Sequence, residues 1–236
     1  MILFKGKALE QVAPVKIVDV LVSSIQMTAT ARQRPVTWGA DFVRMTGGSR
    51  TVSIEFALLT ENRDTRQTQL RDIARWAQSD EPGKLELPNH RGVYLEAICT
   101  ALPDPSLRQW WESKLRIVFT TFGNPYWTRI EEKSCTCGTE FVVLGDAPPL
   151  MRIERTLLSS ASNQTYSNGT QTMTFSTIPA GDMVIDINRQ TAVVTSSGTT
   201  SSIMANYSYS SSFILPKLGA QMIFGTGTVK WRERWV

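Results

Sequence analysis

Asp182, Asp186, Asn188 and Arg189 crowd the stretch AGDMVIDINRQTAVV, residues 180–194. Carboxylate and amide oxygens of this kind can hold a hard cation, but such a site takes about six oxygens on a loop of defined geometry. The spacing here lacks the glycine and the distal glutamate of an EF-hand-type loop. Met183, Ile185 and Ile187 alternate instead with Val184, Asp186 and Asn188, which is the period of a half-buried strand. The pattern breaks at Asn188-Arg189-Gln190 and resumes at Thr191, so the stretch predicts a hairpin whose acids sit on a solvated face and turn.

The other reactive residue types are sparse. Histidine chemistry would have to run through His90, the single histidine, in the turn-like PNHRG. A lone turn histidine reads as a solvated loop residue. Of three cysteines, Cys135 and Cys137 in SCTCG are too close for an ordinary bridge and lack a second CxxC pair for zinc. Cys99, within VYLEAICTAL, reads as a small buried hydrophobe. Three reduced thiols, with no disulfide and no zinc, fit a chain assembled in a reducing cytoplasm.

The acid pairs Glu131-Glu132 and Asp80-Glu81 lie in turn-like segments where nothing would dehydrate them and raise a pKa for acid catalysis. Glu10, Glu55 and Glu96 read as outward strand positions. No phosphate loop, dinucleotide fingerprint, HExxH or GxSxG motif occurs. The residues therefore assign no catalytic, cofactor-binding or metal site and no cofactor. The Tyr207/Tyr209 and Trp110-Trp111 pairs could stack on a sugar ring. A carbohydrate-binding module is accordingly the alternative reading.

The elements that would position these residues are mostly strands. VKIVDVLVSSIQM, RTVSIEFALL, KLELP, VYLEAICTAL and SKLRIVFTTF all carry β-branched or aromatic residues in alternation. In the second run Val52, Ile54, Phe56 and Leu58 share one face. Between the second and third runs, Leu70, Ile73, Ala74 and Ala77 recur at helical spacing, predicting one amphipathic helix. Asp64 or Thr65 would cap it and Pro82-Gly83 would end it. Arg63, Arg66, Arg71 and Arg75 fall on its wet side.

With 236 residues and a formal charge of +4, the chain is long enough for two ordinary domains. Strand patterning stops at GNPYW, which places a boundary near residue 130. Residues 1–130 hold 17 Lys and Arg against 13 Asp and Glu, and residues 131–236 hold 8 of each, so the first part carries the excess charge. From Thr156 to Pro216 the only charges are Asp182, Asp186 and Arg189, beside 23 Ser and Thr. Apolar alternation persists there in TMTFSTI, MVIDI, TAVV and SSFILP, predicting a second all-β domain, a sandwich or a jelly-roll-like barrel.

No run of about 18 apolar residues occurs, and the start MILFKGKALEQ is too short for a secretory signal, so no membrane insertion is expected. The closing VKWRERWV sets Val229, Trp231, Glu233 and Trp235 against Lys230, Arg232 and Arg234. A strand closing a sheet, with its arginines in solvent or at a subunit contact, explains this better than nucleic-acid binding, because no recognised binding motif accompanies it. No sequence-specific nucleic-acid partner is expected.

The order of parts is informative in its own right. GGSRTVSIEFAL, a helix ending near ARWAQSDEPGKLELP, YLEAICTALPD, WWESKLRIVFTTFGNPYW, AGDMVIDINRQTAVV, SSFILPKLG, MIFGTGTVK and the final WRERWV together resemble the distal tail protein family of siphophages, almost end to end. That resemblance implies a mainly β fold. It has an N-terminal β-sandwich or barrel-like domain with one α-helix, residues 1–130, and a C-terminal galectin-like β-sandwich, residues 131–228. The final strand, 229–236, would return to the first domain.

The resemblance further implies a non-enzymatic hub at the distal end of a phage tail. Six copies would form a ring joining the tail tube protein to the tail-tip or tail-associated protein and the receptor-binding proteins, assembled in the bacterial host cytoplasm. Arg32, Arg34, Arg44 and Arg50, in loops between the early strands, could meet acidic surfaces of adjacent copies. A galectin-like shape carries no sugar site with it.

Overall fold

The computed structural model describes residues 1–25, 27–33, 40–60, 62–103, 114–208 and 210–236, with backbone alone for 27–33 and 40–47. Arg34, Trp110, Trp111 and Tyr209 lie outside the described residues. The chain divides into two compact units, Met1–Trp127 and Thr128–Val236. The division falls three residues before the expected boundary.

The first unit runs β1 (Leu3–Phe4), β2 (Lys7–Ala8), α1 (Leu9–Val12), β3 (Val15–Val22), β4 (Met27–Gln33), β5 (Ala40–Gly47), β6 (Thr51–Leu58), α2 (Arg63–Ala77), β7 (Gly83–Glu86), β8 (Val93–Ala101) and β9 (Leu115–Thr121). Its main sheet is antiparallel in the order β3-β6-β9-β8-β7-β1-β2, and β4 and β5 pair as a separate ribbon. The alternation in β6 is realised: Val52, Ile54 and Phe56 are fully buried and Leu58 nearly so. A bulge at Ile17/Asp19 interrupts the register of β3 on β6.

The one long helix, α2, lies where its periodicity predicts, with corrected ends. Asn62 is the cap, its side-chain oxygen accepting from the N–H groups of Asp64 and Thr65, so the two residues read as caps are the ones being capped. The helix stops at Ala77, before Pro82-Gly83. Gly83 instead opens β7, where a Cβ would stand 2.7 Å from Lys5 Cγ and 2.8 Å from Phe4 Cε2. Only a residue without a side chain lets β7 come that close to β1.

Leu70, Ile73, Trp76 and Ala77 form the buried stripe of α2. Trp76 enters because its ring lies edge-on to Phe4 at 5.8 Å and to Phe119 at 6.1 Å, with Phe4 and Phe119 themselves 4.9 Å apart. Its Nε1–H donates to the Lys7 carbonyl at 2.9 Å. This aromatic trio seats the helix on β1 and β9 and satisfies the one polar atom the indole brings.

β10 (Trp127–Arg129) lies at the division between the units. The second unit then runs β11 (Lys133–Thr136), β12 (Glu140–Val143), β13 (Ala147–Leu157), β14 (Ala161–Ser167), β15 (Thr172–Ile178), β16 (Gly181–Asp186), β17 (Thr191–Ser196), β18 (Thr199–Ser202), a short 3-10 turn (Met204–Asn206), β19 (Gly219–Met222) and β20 (Thr228–Trp235). One layer is antiparallel in the order β18-β17-β16-β13-β20-β11. The ribbons β14-β15 and β12-β19 are tied to each other by a bridge between Ser167 and Phe224. Ile153, Ile185, Val194 and Trp231 from the layer share one core with Phe141, Tyr166, Met173 and Phe175 from the ribbons. That arrangement is a β-sandwich.

The last strand forms with the alternating burial that VKWRERWV predicts. β20 pairs with β13 and β11, and Val229 and Trp231 belong to the core of the second unit. The strand falls within the unit Thr128–Val236. Large apolar residues in alternation call for a sheet, and the neighbouring β13 supplies one.

Candidate functional site

The acid-rich hairpin that could have held a cation is structural in each of its side chains. Asp186 Oδ1 accepts from the Arg189 N–H at 2.9 Å across the turn between β16 and β17. Asn188 ties that turn to β13, its Oδ1 accepting from the Met151 N–H at 2.6 Å and its amide donating to the Pro149 carbonyl at 3.0 Å. Asp182 Oδ1 accepts from the Thr156 hydroxyl at 2.7 Å. Among the described residues no group of three or more His, Cys, Asp or Glu side chains is placed to hold a metal.

The basic face of the last strand is neutralised by its neighbours. Lys230 Nζ lies 2.6 Å from Glu154, and Arg232 Nε lies 3.5 Å from Glu132. Arg152 joins the two acids, 2.9 Å from Glu132 and 2.5 Å from Glu154. Burial works against the Glu154 carboxylate, yet Lys230 and Arg152 hold it below the usual carboxylate range. Glu233, from the opposite face, is 1% exposed and receives Lys133 Nζ at 2.6 Å, Arg129 Nη1 at 3.0 Å and the Leu144 N–H at 3.2 Å. Burial alone would raise its pKa; the two cations and the N–H outweigh it and lower it. These interlocked charges hold strands together and leave Lys230 and Arg232 paired with acids instead of presented to phosphates.

His90 is not the solvated turn residue its context suggests. Its imidazole stacks on Trp127 at 4.1 Å between centroids and 18° between planes. Burial, and after it the charge of Arg50, push its pKa below the ordinary value. Arg50 is itself buried, with its guanidinium carbon 5.7 Å from the centroid of Trp127. Of the other early arginines, Arg32 and Arg44 lie within β4 and β5 and not in loops, opposite Asp41 and Thr30 in the register. Sequence reading missed the Arg50–Trp127–His90 stack, since the three residues are far apart in the chain and no local period links them.

All three cysteines are free thiols. Cys99 is only half-buried, its Sγ–H 3.4 Å from the Ala101 carbonyl. Cys137 packs against the second core, and burial, followed by the neighbouring Cys135, pushes its thiol up to about 11. A thiol so reluctant to ionise is a poor nucleophile.

Two surface features remain in the first unit. β3 pairs only with β6 among the described residues, and it exposes Val18 at 43% and Leu21 at 55%. An open groove of about 500 Å³ is lined by Phe4, Lys5, Lys7, Asp72, Arg75 and Trp76, and its one acid, Asp72, is already 3.5 Å from Arg75. Neither feature brings a nucleophile and a base together. In the second unit Tyr207 stacks on Phe213 at 4.9 Å and packs edge-on to Phe175, so its ring serves that core and not a sugar face. No described helix is long and apolar enough to cross a membrane.

No protein-family model and no curated protein sequence matches the chain. Solved structures do. The Dit protein of phage SPP1, presented as a paradigm of the hub adsorption apparatus in phages that infect Gram-positive bacteria, superposes with a TM-score of 0.73 at 11% identity, over 100% of this chain and 98% of that one. A chain of the phage P2 baseplate, in its activated conformation with calcium, superposes with a TM-score of 0.51 at 10% identity, over 93% of this chain and 90% of that one. At these identities the likeness is one of fold.

Proposed function

We propose that this chain is a structural, non-catalytic component of a siphophage tail, a distal tail protein whose copies form the hub between the tail tube and the tail tip or baseplate. The observation that carries the reading is the end-to-end match of fold with a phage hub protein, which includes both units in the same order. Fold alone does not fix function. Here the side chains that might have done chemistry are instead engaged in turns, ion pairs and cores, which suits a building block.

In this reading six copies close a ring through the first unit, and the edge of β3 left unpaired among the described residues is a natural contact, because exposed edges are either blunted or paired with a neighbour. Head-to-tail contacts of that kind form a closed ring when the rotation per copy fits. The partners are the tail tube protein on one side and the tail-tip or tail-associated protein and receptor-binding proteins on the other. The second unit has a galectin-like shape and faces outward. The protein resides at the distal end of the virion's tail after assembly in the bacterial host cytoplasm.

A cryo-electron microscopy reconstruction of the tail tests this. One six-membered ring of this chain is expected at the far end of the tube. Density for it along the repeating tube wall, or in the capsid, would exclude the hub role.

A further inference from the structure

Arg50 presents a problem that the hub reading does not solve. It is 4% exposed, and its Nε and Nη1 are enclosed without an acceptor among the described residues. The main chain at this position is fully used, with the Arg50 N–H donating to Thr121 Oγ1 at 2.8 Å and the Thr121 N–H donating to the Arg50 carbonyl at 2.9 Å. These two hydrogen bonds fix the backbone and leave the charge to be dealt with by the side chain's surroundings.

Among the described residues those surroundings supply a wall and no counter-charge. Trp127 offers a ring face 5.7 Å from the guanidinium carbon, and His90 stacks on the same indole. A cation over an aromatic face is attracted to it, but the ring accepts no hydrogen bond from Nε or Nη1. A buried charge without a partner is strongly destabilising, so guanidinium groups inside proteins are found with carboxylates or other oxyanions.

We propose that Arg50, backed by Trp127, is a receptor site for a single oxyanion, a carboxylate or a phosphate group. The guanidinium stays charged at every working pH and is planar, and its fork of donors fits both anions. The small remaining exposure of the residue is where an anion would approach the guanidinium. A tryptophan and an arginine held together in a desolvated setting are also the residue types in which binding energy concentrates at protein contacts. The anion has two possible sources, a free ion or an acidic side chain of a second copy of this chain. The site does not depend on the hub reading, and either can fail alone.

The test compares the full-length chain with Arg50→Met and Arg50→Lys by thermal unfolding, in chloride and in inorganic phosphate at matched ionic strength, over a range of protein concentrations. The Met variant removes an uncompensated charge, so it is expected to melt above the wild type in chloride. Phosphate at about five times its Kd then raises the wild type by roughly 3 °C more than it raises the Met variant, narrowing the gap. That result identifies a free oxyanion.

A wild-type melting temperature that climbs with protein concentration and ignores phosphate, with no climb in the Met variant, identifies the acid of a second copy. The Arg50 Nε–H resonance, assigned by its loss in Arg50→Lys, gives a readout on the wild type even if a variant does not fold: it moves saturably with phosphate or with protein concentration. A resonance fixed under both titrations, or a Met variant that melts below the wild type while the wild type answers to neither, overturns the proposal and places the counter-charge within the chain itself.

Discussion

The two units solve the same problem, holding antiparallel strands to a core, by different means. In the first, three rings from distant parts of the chain, Phe4, Trp76 and Phe119, seat a fifteen-residue helix on the sheet. In the second, which holds 9 Lys and Arg against 8 Asp and Glu over residues 128–236, Glu132, Glu154 and Glu233 are distributed among Arg129, Lys133, Arg152, Lys230 and Arg232. Slipping one strand by a residue would carry each charge to the other face, so cross-strand ion pairs help fix the register of β11, β13 and β20. Shape complementarity does this work in the first unit and charge complementarity in the second.

The largest expected effect comes from removing the central ring of the first unit. Trp76→Ala deletes the ring that meets both Phe4 and Phe119 and strands the Lys7 carbonyl it bonds. The loss is expected to be about 3–5 kcal/mol, the usual range for a buried tryptophan. Amide hydrogen exchange should show β1, β7 and β9 losing protection while β13 and β16 keep theirs. Equal loss in both units would break the comparison, because the aromatic seat would then support the whole chain.

A smaller effect belongs to Glu233, and it carries a pH dependence that Trp76 does not. Glu233→Ala leaves Lys133 and Arg129 without their shared acid, but both are about a third exposed and can turn to water. The expected cost is about 2 kcal/mol, below the range for pairs buried on both sides. The folded carboxylate has a pKa below its unfolded value of about 4.3. Its contribution is thus complete above that pH and lost as pH falls through the lower folded value. Protection of β11, β13 and β20 in the wild type should fall on acidification below about pH 4, and the variant should show a flatter profile in that window. A variant as acid-sensitive as the wild type would move the ion-pair account away from Glu233.

Much of this fold was legible because it rests on local periods. The alternation in Val52, Ile54, Phe56 and Leu58, the helical spacing of Leu70, Ile73 and Ala77, and the hairpin around Asn188 are properties of a few neighbouring residues, and each appears where its period predicts. What stayed hidden depends on partners far along the chain. Trp76 joins the buried stripe because Phe4 and Phe119 arrive beside it, His90 is half-buried where it stacks on Trp127, and Glu233 can be buried because Arg129 and Lys133 reach it. The partners of the final strand were hidden for the same reason. VKWRERWV announces a strand with a buried face, but which sheet receives it is set by β13 and β11, and neither edge is marked in the octapeptide.

The smallest effect sharpens the comparison inside the first unit, by asking how much a polar contact contributes where packing dominates. Asn62 closes the start of α2 by accepting from Asp64 N–H at 2.9 Å and, at the limit of hydrogen-bond distance, from Thr65 N–H at 3.5 Å. Asn62→Ala leaves those N–H groups to water and is expected to cost about 1 kcal/mol. Asp64→Ala removes only a first-turn acid from a favourable helix dipole, worth about 0.3–1 kcal/mol at low salt and less as salt screens it. Chemical denaturation of the two variants at low and high salt separates these contributions. The Asn62 deficit should survive in salt because a geometric hydrogen bond carries it, and the Asp64 deficit should shrink. If Asp64→Ala proves the more damaging at high salt, Asp64 is the cap after all and the helix begins later than Arg63; if neither variant matters, the aromatic seat alone holds α2 in place.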